Sequence, residues 1–259
     1  MTPRIVCGRF LILLGRFIQS LAIMVMRPKD LIEFSRLAYW GQNRAKGWGT
    51  DKMIEMGLNP AETLLLDKIP LKQGRLLVLG VGGGREAIFL AQRNYEVTGL
   101  DFIPEMVQRA RENALKKGLA LKGLVQEMSR LEVPKSSFDI VWLSAAMYSC
   151  IPTKMRRIEM LKRIKGALKT GGYFACQFHF DEKAQNHSKI ATSTRRLFAW
   201  LTLGNLRYEP GDALWNQVEF IHAFSQEREL ISEFEVGGFK MEYFHTEKNR
   251  GRGEALLSA

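Results

Sequence analysis

The sequence contains few cysteines and histidines. Three cysteines, Cys7, Cys150 and Cys176, lie far apart among 259 residues, and there are four histidines. An odd number of scattered cysteines is typical of reduced thiols in the cytoplasm and argues against a disulfide-stabilised extracellular fold. The chain has no CxxC or HxxxH spacing, so we expect no bound metal ion.

Acidic residues are absent from the first 29 positions, where five basic residues occur: Arg4, Arg9, Arg16, Arg27 and Lys29. The whole chain has a net charge of +11, from 38 lysines and arginines against 27 aspartates and glutamates. Such a charge predicts attraction to polyanions, either nucleic acid or an anionic membrane surface. With 46% apolar and 25% charged residues, the composition is that of a globular protein.

The longest apolar stretch is residues 10–26. A helix that crosses a membrane needs roughly 20 apolar residues with few charges, whereas this stretch is shorter and contains Arg16. A signal peptide is also disfavoured, because no small-x-small cleavage site follows the apolar residues.

Helical periodicity favours a different interpretation of this stretch. With about 100° of rotation per residue, one polar stripe on an otherwise apolar helix is formed by Arg9, Arg16, Ser20 and Arg27. We therefore predict an N-terminal helical segment at residues 1–50, with a membrane-surface helix at 8–27. The alternatives are a helix packed on the domain or on a second subunit, a membrane span, and a signal sequence.

From residue 75 onwards, short apolar runs alternate with helical stretches. The predicted strands are residues 76–80, 96–101, 121–127, 138–144 and 171–180, and the helices between them are 85–94, 103–117 and 154–168. This alternation is typical of a parallel sheet with helices on both faces. A helix at 225–235 and two final strands joined by a short turn predict an antiparallel hairpin at the C-terminus. The expected fold of residues 51–259 is thus α/β, doubly wound, with a seven-stranded and mostly parallel sheet.

The first predicted strand leads into a glycine-rich turn, G-x-G-x-G, at the start of a helix. Gly80, Gly82 and Gly84 allow the backbone to turn tightly and to approach a ligand, because they have no Cβ. Asp101 ends the second strand, 17 residues after Gly84, where an acid can accept both hydroxyls of a ribose. Taken alone, this pair fits either a NAD-type dinucleotide or S-adenosylmethionine (SAM).

Four segments of the core carry a more specific signal: VLGVGGGREAIFLA, TGLDFIPEMV, LVQEMSRLEVPKSSFDIVWL and GALKTGGYF. In order and spacing they resemble the class I SAM-dependent methyltransferases, closely over residues 75–180 and in outline over 224–259. The resemblance implies the Rossmann-like fold of that family, SAM as the cofactor, and methyl transfer as the activity.

The resemblance also implies roles for the glycine-rich turn. Gly80, Gly82 and Gly84 would lie under the methionine part of SAM. Many family members have an acid two residues before the first of these glycines, and Val78 stands there in this chain. A contact to the amino group of SAM is then missing or comes from another residue, for which Glu86 is the candidate.

The remaining cofactor residues are also assigned by the resemblance. Asp101 would accept the ribose hydroxyls, and Phe102 would lie against the adenine ring. Glu127 would accept a hydrogen bond from the adenine amino group, and Met128 would contribute a backbone contact. Ser144, at the end of the fourth strand, would lie near the methionine and the methyl group that is transferred.

Catalytic residues are harder to predict. The methyl group of a sulfonium is already electrophilic, so the protein mainly has to align a nucleophile with it. A base is needed only if the acceptor loses a proton. Near the carboxyl ends of the strands, the candidates are Tyr148, His179 and His222, and packing within the core is the alternative role for each. His187 is expected to be an exposed loop residue.

Residues 187–224, called the insert below, interrupt the alternation of strands and helices. They are rich in large apolar side chains: Phe198, Trp200, Leu201, Leu203, Leu206, Tyr208 and Trp215. Insertions at this place in the family often cover the active site. We therefore predict that the insert is a lid for a hydrophobic acceptor, and a small packed subdomain is the alternative.

The main hypothesis is methyl transfer from SAM to a hydrophobic or lipid-like small molecule at the cytoplasmic face of a membrane. A soluble methyltransferase for a polar metabolite, RNA or protein is one alternative, with the N-terminal helix mediating dimerisation. A non-catalytic SAM-binding scaffold is another, and Val78 would favour it. Nucleic acid is the less favoured partner, because no aromatic ladder accompanies the basic helix at 154–168. The oligomeric state and the methylated atom stay open.

Overall fold

The computed structural model describes residues 2–41, 47, 49–185, 189–216 and 218–259. Its strands are β1 (Gly74–Leu79), β2 (Tyr95–Asp101), β3 (Lys122–Val125), β4 (Phe138–Leu143), β5 (Leu168–His179), β6 (Asp212–Trp215), β7 (Glu219–His222), β8 (Lys240–Glu247) and β9 (Arg252–Ser258). Its helices are α1 (Pro3–Val25), α2 (Pro28–Gly41), α3 (Asp51–Glu55), α4 (Pro60–Lys68), α5 (Arg85–Ala91), α6 (Pro104–Lys116), α7 (Lys154–Ala167), α8 (Lys189–Leu201) and α9 (Glu227–Val236).

Seven strands form one sheet in the order β3-β2-β1-β4-β5-β9-β8. The first five strands of this order pair in parallel, and β9 lies antiparallel to both β5 and β8. The sheet confirms the predicted doubly wound α/β fold with an antiparallel hairpin at its C-terminal end. Its carboxyl edge, where β1, β2, β4 and β5 end, is the place where such sheets bind ligands.

Both faces of the sheet are covered, which is why its strands are apolar on both sides. On one face, α7 and α9 pack through Ile164 and Phe234. On the other face, α5 and α6 pack through Leu90 and Ala110. These two layers keep the strand ends in fixed relative positions.

The N-terminal helices pack on the insert. Ile23, Met24 and Leu31 form a small core with Ala199 and Phe220 of the insert. The carbonyl oxygen of Met24 accepts a hydrogen bond from the backbone N–H of Asn205 at 2.7 Å. The insert itself consists of α8 and the antiparallel β6–β7 hairpin, neither of which the sequence predicted, and residues 187, 188 and 217 lie outside the described residues.

The first helix differs from its prediction. It spans Pro3–Val25, not residues 8–27, because the backbone leaves the helix at Met26 and Pro28 starts the next one. Arg27 therefore lies in the connection between the two helices and not on the predicted polar stripe. Among the described residues, α1 is long and apolar enough to cross a membrane, judged by length and composition alone.

Candidate cofactor and acceptor site

The glycine-rich turn connects β1 to α5 with the expected backbone geometry. Gly80, Gly82 and Gly84 have φ angles of 72°, 51° and 98°, which residues with a Cβ rarely adopt. A Cβ at Gly84 would lie 3.2 Å from Cα of Ala110, so close packing of α6 also requires glycine there. At Gly82 a Cβ would have no atom within 4 Å, so the turn has open space beside it.

Asp101 links this turn to the end of β2. Its Oδ2 accepts a hydrogen bond from the backbone N–H of Gly82, and its Oδ1 accepts one from the N–H of Ile103, each at 3.0 Å. Burial raises the pKa of the Asp101 carboxyl. A carboxylate has about four acceptor positions, so both oxygens keep capacity for ribose hydroxyls. The neighbouring Phe102 packs against Ile103 and Met106.

Glu127 follows β3 and is paired with Arg156, which carried no recognisable signal in the sequence. Its Oε1 accepts from Arg156 of α7 at 2.7 Å and from the hydroxyl of Ser129. Its Oε2 lies 3.7 Å from Nε of Arg130. Met128 packs against the core beneath. The structure therefore holds the Glu127 carboxylate between cationic side chains at the edge of the sheet.

Ser144 directly follows β4, and Glu86 lies in the first turn of α5, after the glycine-rich turn. Their side chains are in contact. The Ser144 hydroxyl donates to Oε1 of Glu86 at 2.6 Å, and both residues are buried. Arg85 bridges Glu86 and the fully buried Glu62, with 2.7 and 2.8 Å contacts to Glu62. Desolvation raises the pKa of the Glu86 carboxyl, although Arg85 opposes this effect. Val78 is packed in the core and has no polar group. Glu86 is therefore the candidate for the contact to the amino group of SAM that an acid at position 78 would make.

The residues after Ser144 have a strained backbone. Ala145 and Ala146 have φ angles of 54° and 57°, and the left-handed region is costly for residues other than glycine. The backbone N–H of Ala145 donates to the side chain of Gln177 on β5 at 2.9 Å. Two alanines and a glutamine carried no signal in the sequence, and the structure shows that they shape the edge between β4 and β5.

His179 lies at the carboxyl end of β5, next to the insert. Its ring is 5.2 Å from the ring of Trp215, measured between centroids, and its backbone N–H donates to the hydroxyl of Ser149. Burial, together with the positive charge of Arg252, lowers the pKa of His179 from 6.5 to about 4. The imidazole is therefore uncharged at pH 7, and its lowered pKa makes it a weak base that can accept a hydrogen bond.

Tyr148 has a different environment from the one predicted for a catalytic residue. It is fully buried, and its hydroxyl donates to Glu233 of α9 at 2.7 Å. Burial and the neighbouring Glu233 raise its pKa well above 10. Its ring stacks on Phe224. The hydroxyl is thus used in packing between the sheet and α9, and Tyr148 has no part in the mechanism proposed below.

His222 belongs to a buried polar network that fastens the insert to the domain. Its Nδ1 lies 2.8 Å from Oδ1 of Asp212. Nearby, Arg157 of α7 donates to Glu209 of the insert at 2.9 Å and to Glu233 at 2.7 Å. Glu209, Asp212 and His222 place possible metal-ligand atoms within 4.8 Å of one another, but the Arg157 guanidinium already supplies a cation to Glu209.

The structure thus separates the predicted residues into two groups. The turn glycines, Asp101 and Ser144 come together at the carboxyl edge of the sheet, with His179 at the end of β5. Tyr148 and His222 belong to the network under the insert, and His187 lies outside the described residues.

Comparison with known proteins agrees with this geometry. A family model described as a methyltransferase domain matches residues 76–172. A methyltransferase of Synechocystis is 31% identical over 113 residues, which are 43% of this chain and 50% of that protein. A phosphatidylethanolamine N-methyltransferase of Cereibacter sphaeroides is 35% identical over 109 residues, covering 41% of this chain and 51% of the relative. The chain therefore spans about half the length of these curated relatives.

A solved structure extends the similarity beyond that region. The crystal structure of a SAM-dependent methyltransferase from Methanosarcina mazei matches 78% of this chain and 98% of its own, with a TM-score of 0.58 and 25% identity. The match to the methyltransferase family model, at residues 76–172, contains the glycine-rich turn and the end of β2, where the predicted cofactor residues lie. Residues 76–172 therefore form a methyltransferase domain, and the chain has the Rossmann-like fold of class I methyltransferases that use SAM.

Proposed function

We propose that the protein transfers the methyl group of SAM to a hydrophobic, lipid-like small molecule at a membrane surface. Methyl transfer is supported mainly by the glycine-rich turn at the carboxyl edge of the sheet. This turn has open space beside it and is hydrogen-bonded to Asp101. In parallel α/β sheets this edge binds nucleotide-like ligands.

The residues at this edge fit the chemistry of SAM. Asp101 would accept the ribose hydroxyls with the acceptor positions that Gly82 and Ile103 leave free. Phe102 would cover one face of the adenine ring, and Glu127 with the backbone of Met128 would contact its edge. Bound SAM supplies a methyl group that is electrophilic because it is carried by a sulfonium.

Glu86 and Ser144 would hold the ammonium group of the cofactor. The cluster of Glu62, Arg85 and Glu86 contains two carboxyl groups and one guanidinium. When both carboxyl groups are ionised, the cluster carries one unbalanced negative charge in a buried place, which is costly. An ammonium group beside Glu86 would balance this charge, so the acid two residues before Gly80 is not needed.

His179 would accept a hydrogen bond from the acceptor group, and as a weak base it would take up that group's proton where the proton has to be lost. It is neutral at pH 7 because burial lowers its pKa, and it lies at the end of β5 under Trp215 of the insert. Ala145 and Gln177 would fix the neighbouring edge and so align the acceptor. These roles require only that the protein orients two reactants and excludes water.

The hydrophobic acceptor is supported by two features of the chain. The insert places Trp215 beside His179, so an apolar group would contact aromatic surface there. α1 exposes large apolar side chains along its first two thirds: Ile5, Val6, Phe10, Leu11, Ile12, Leu13, Leu14, Phe17 and Ile18. An exposed apolar helix with basic residues is typical of binding at a membrane interface. The relative from Cereibacter sphaeroides is itself named for a phospholipid acceptor.

Transfer of a radioactive methyl group tests the activity. The full chain would be incubated with methyl-labelled SAM and with lipid or aqueous cell extracts, and labelled products would be separated. We expect label in the lipid fraction, and none with Asp101→Ala. Label in the aqueous fraction alone would overturn the lipid acceptor, and failure of the folded protein to bind SAM in a calorimetric titration would overturn methyl transfer itself.

Vesicle binding tests the membrane part. A variant with Phe10→Ser, Leu11→Ser and Leu13→Ser removes apolar surface from α1 while keeping Ile23 and Met24, which pack on the insert. We expect this variant to bind anionic vesicles more weakly than the unchanged chain, with the same affinity for SAM. Equal vesicle binding by both proteins would contradict a membrane role for α1.

A further inference from the structure

The insert presents a second apolar surface, formed by the outward side of α8 and by the residues that directly follow this helix. This surface, called the outer face of the insert, consists of Leu197, Trp200, Leu201, Leu203 and Leu206. Their side chains are between 57% and 64% exposed. A helix on the surface of a soluble protein normally places polar residues on its outward side, so this arrangement requires an explanation.

The exposure does not result from poor packing of α8. Ala199, on the opposite side of the helix from Leu197, is buried against Ile23 and Met24 of α1. Arg195 also points to that side, where it donates to the hydroxyls of Tyr208 and Ser20. These contacts fix the orientation of α8, in which the side that carries Leu197 and Trp200 is exposed to solvent.

The outer face of the insert adjoins the C-terminal end of α1. Nε of Arg27 donates to the carbonyl oxygen of Leu203 at 3.2 Å, and Asn205 bonds to the carbonyl of Met24. These hydrogen bonds bring Leu203 of the insert close to the exposed Val25 at the end of α1. The C-terminal end of α1 and the insert, each with exposed apolar side chains, meet there, and adjoining exposed apolar patches on a soluble protein mark interaction sites.

The charges around this surface identify what it binds. Residues 1–29 contain five lysines and arginines, residues 187–208 contain four, and neither segment contains an acid. Of these, Arg196 and Arg207 are exposed beside the outer face of the insert. A second copy of the chain would bring the same positive charges against them, which is unfavourable. Anionic lipid headgroups would instead attract these side chains.

We propose that the outer face of the insert inserts into an anionic lipid bilayer next to α1. Trp200 lies at the headgroup level, where its indole combines apolar contact with a donor N–H, and the leucines enter the acyl region. The same segment continues through Glu209 to the β6–β7 hairpin, whose Trp215 contacts His179. This inference rests on the proposed function, since it makes the insert a route from the bilayer to the methyl-transfer site.

Binding to vesicles of equal parts phosphatidylcholine and phosphatidylglycerol tests the proposal with the full chain. The insert variant combines Trp200→Ser, Leu201→Ser and Leu203→Ser. The matched control combines Met56→Ser, Leu115→Ser and Val236→Ser, which are exposed apolar residues on other faces. We expect the vesicle association constant of the insert variant to fall by at least about tenfold, and that of the control to stay unchanged.

A second measurement locates Trp200 directly. Lipids with bromine on their acyl chains quench tryptophan fluorescence at short range, and Trp200→Phe keeps the surface apolar while it removes the reporter. We expect the unchanged chain to be quenched more strongly than Trp200→Phe. Equal quenching of the two, or vesicle binding of the insert variant equal to that of the unchanged chain, would overturn the proposal.

Two controls separate this inference from its alternatives. Light scattering without vesicles would overturn it if the chain has the mass of a dimer and the insert variant that of a monomer, since the surface would then bind a second copy. Calorimetry with SAM separates it from the proposed function. If the chain binds vesicles through the insert but does not bind SAM, the proposed membrane surface is supported and the proposed methyl transfer is overturned.

Discussion

The hydroxyl of Ser144 donates a 2.6 Å hydrogen bond to the buried carboxylate of Glu86. These residues are 58 positions apart in sequence, and they meet because β4 lies beside β1 in the sheet. The bond joins the end of β4 to the helix that follows the glycine-rich turn. We propose that Glu86, held by this bond, takes the role of the acid that many related methyltransferases have at the position of Val78.

Glu86→Gln should therefore affect the cofactor more than the fold. A charge-assisted hydrogen bond is worth about 1.5–3 kcal/mol, so we expect SAM affinity to fall by about tenfold or more in a calorimetric titration. Arg85 keeps its partner Glu62, and a neutral amide is cheaper to bury than a carboxylate. The midpoint of thermal unfolding should stay unchanged or rise. Glu235→Gln removes the same charge from an exposed residue. This control should alter neither the affinity for SAM nor the midpoint of thermal unfolding.

The sequence was sufficient to predict the seven strands of the large sheet and the glycine-rich turn at its carboxyl edge. Buried parallel strands are continuous apolar runs, and the turn glycines require φ angles that few other residues adopt, so both leave local signals. The contacts of Glu86 and Gln177 leave no such signal, because each depends on which strands become neighbours. Only the departure at Val78 pointed to Glu86.

The basic helix α7 shows a different limit of sequence reasoning. Lysines and arginines are normally exposed, yet Arg157 in this helix is 1% exposed. Its partner Glu233 comes 76 residues later, and Glu209 belongs to the insert, whose hairpin the sequence did not predict. A residue type that is normally exposed can be buried when distant residues supply its charge partners.

Removal of Arg157 should therefore destabilise the protein strongly. Arg157→Met leaves Glu233 buried without its cation, and we expect a loss of about 3–5 kcal/mol in the free energy of unfolding measured with urea. Arg250→Met removes the same charge from an exposed pair with Glu247 and should cost less than about 1 kcal/mol. Similar losses in both variants would show that the network under the insert is energetically unimportant.

Replacing Ala145 by glycine should relieve the backbone strain after Ser144. Alanine in the left-handed region costs about 1–2 kcal/mol, part of which is offset by the greater freedom of glycine in the unfolded chain. Ala145→Gly should thus stabilise the protein by about 0.5–1 kcal/mol in urea unfolding. Ala61→Gly, in the first turn of α4, replaces an alanine that is not in the left-handed region and should not stabilise the protein. A loss of stability in Ala145→Gly would mean that this backbone geometry is not strained.

The buried imidazole of His179 should make stability depend on pH. Its pKa is lowered to about 4 in the folded protein, against about 6.5 for an unperturbed histidine. Between these two values the unfolded chain binds more protons, so stability is greatest above pH 6.5 and falls as the pH is lowered towards 4. The loss amounts to at most about 3 kcal/mol, since one pKa unit is worth about 1.4 kcal/mol.

Other groups titrate in the same range, so the prediction concerns a difference between two proteins. Burial raises the pKa values of Asp101 and Asp212, and these carboxyl groups favour the folded state at low pH. His179→Gln removes one imidazole and leaves them in place. Urea unfolding from pH 7 to pH 4 should show that the unchanged chain loses more stability than this variant, while His245→Gln controls for loss of an exposed histidine. Parallel curves for the unchanged chain and His179→Gln would mean that His179 binds protons equally well in both states, and its proposed role as a neutral acceptor would lose its support.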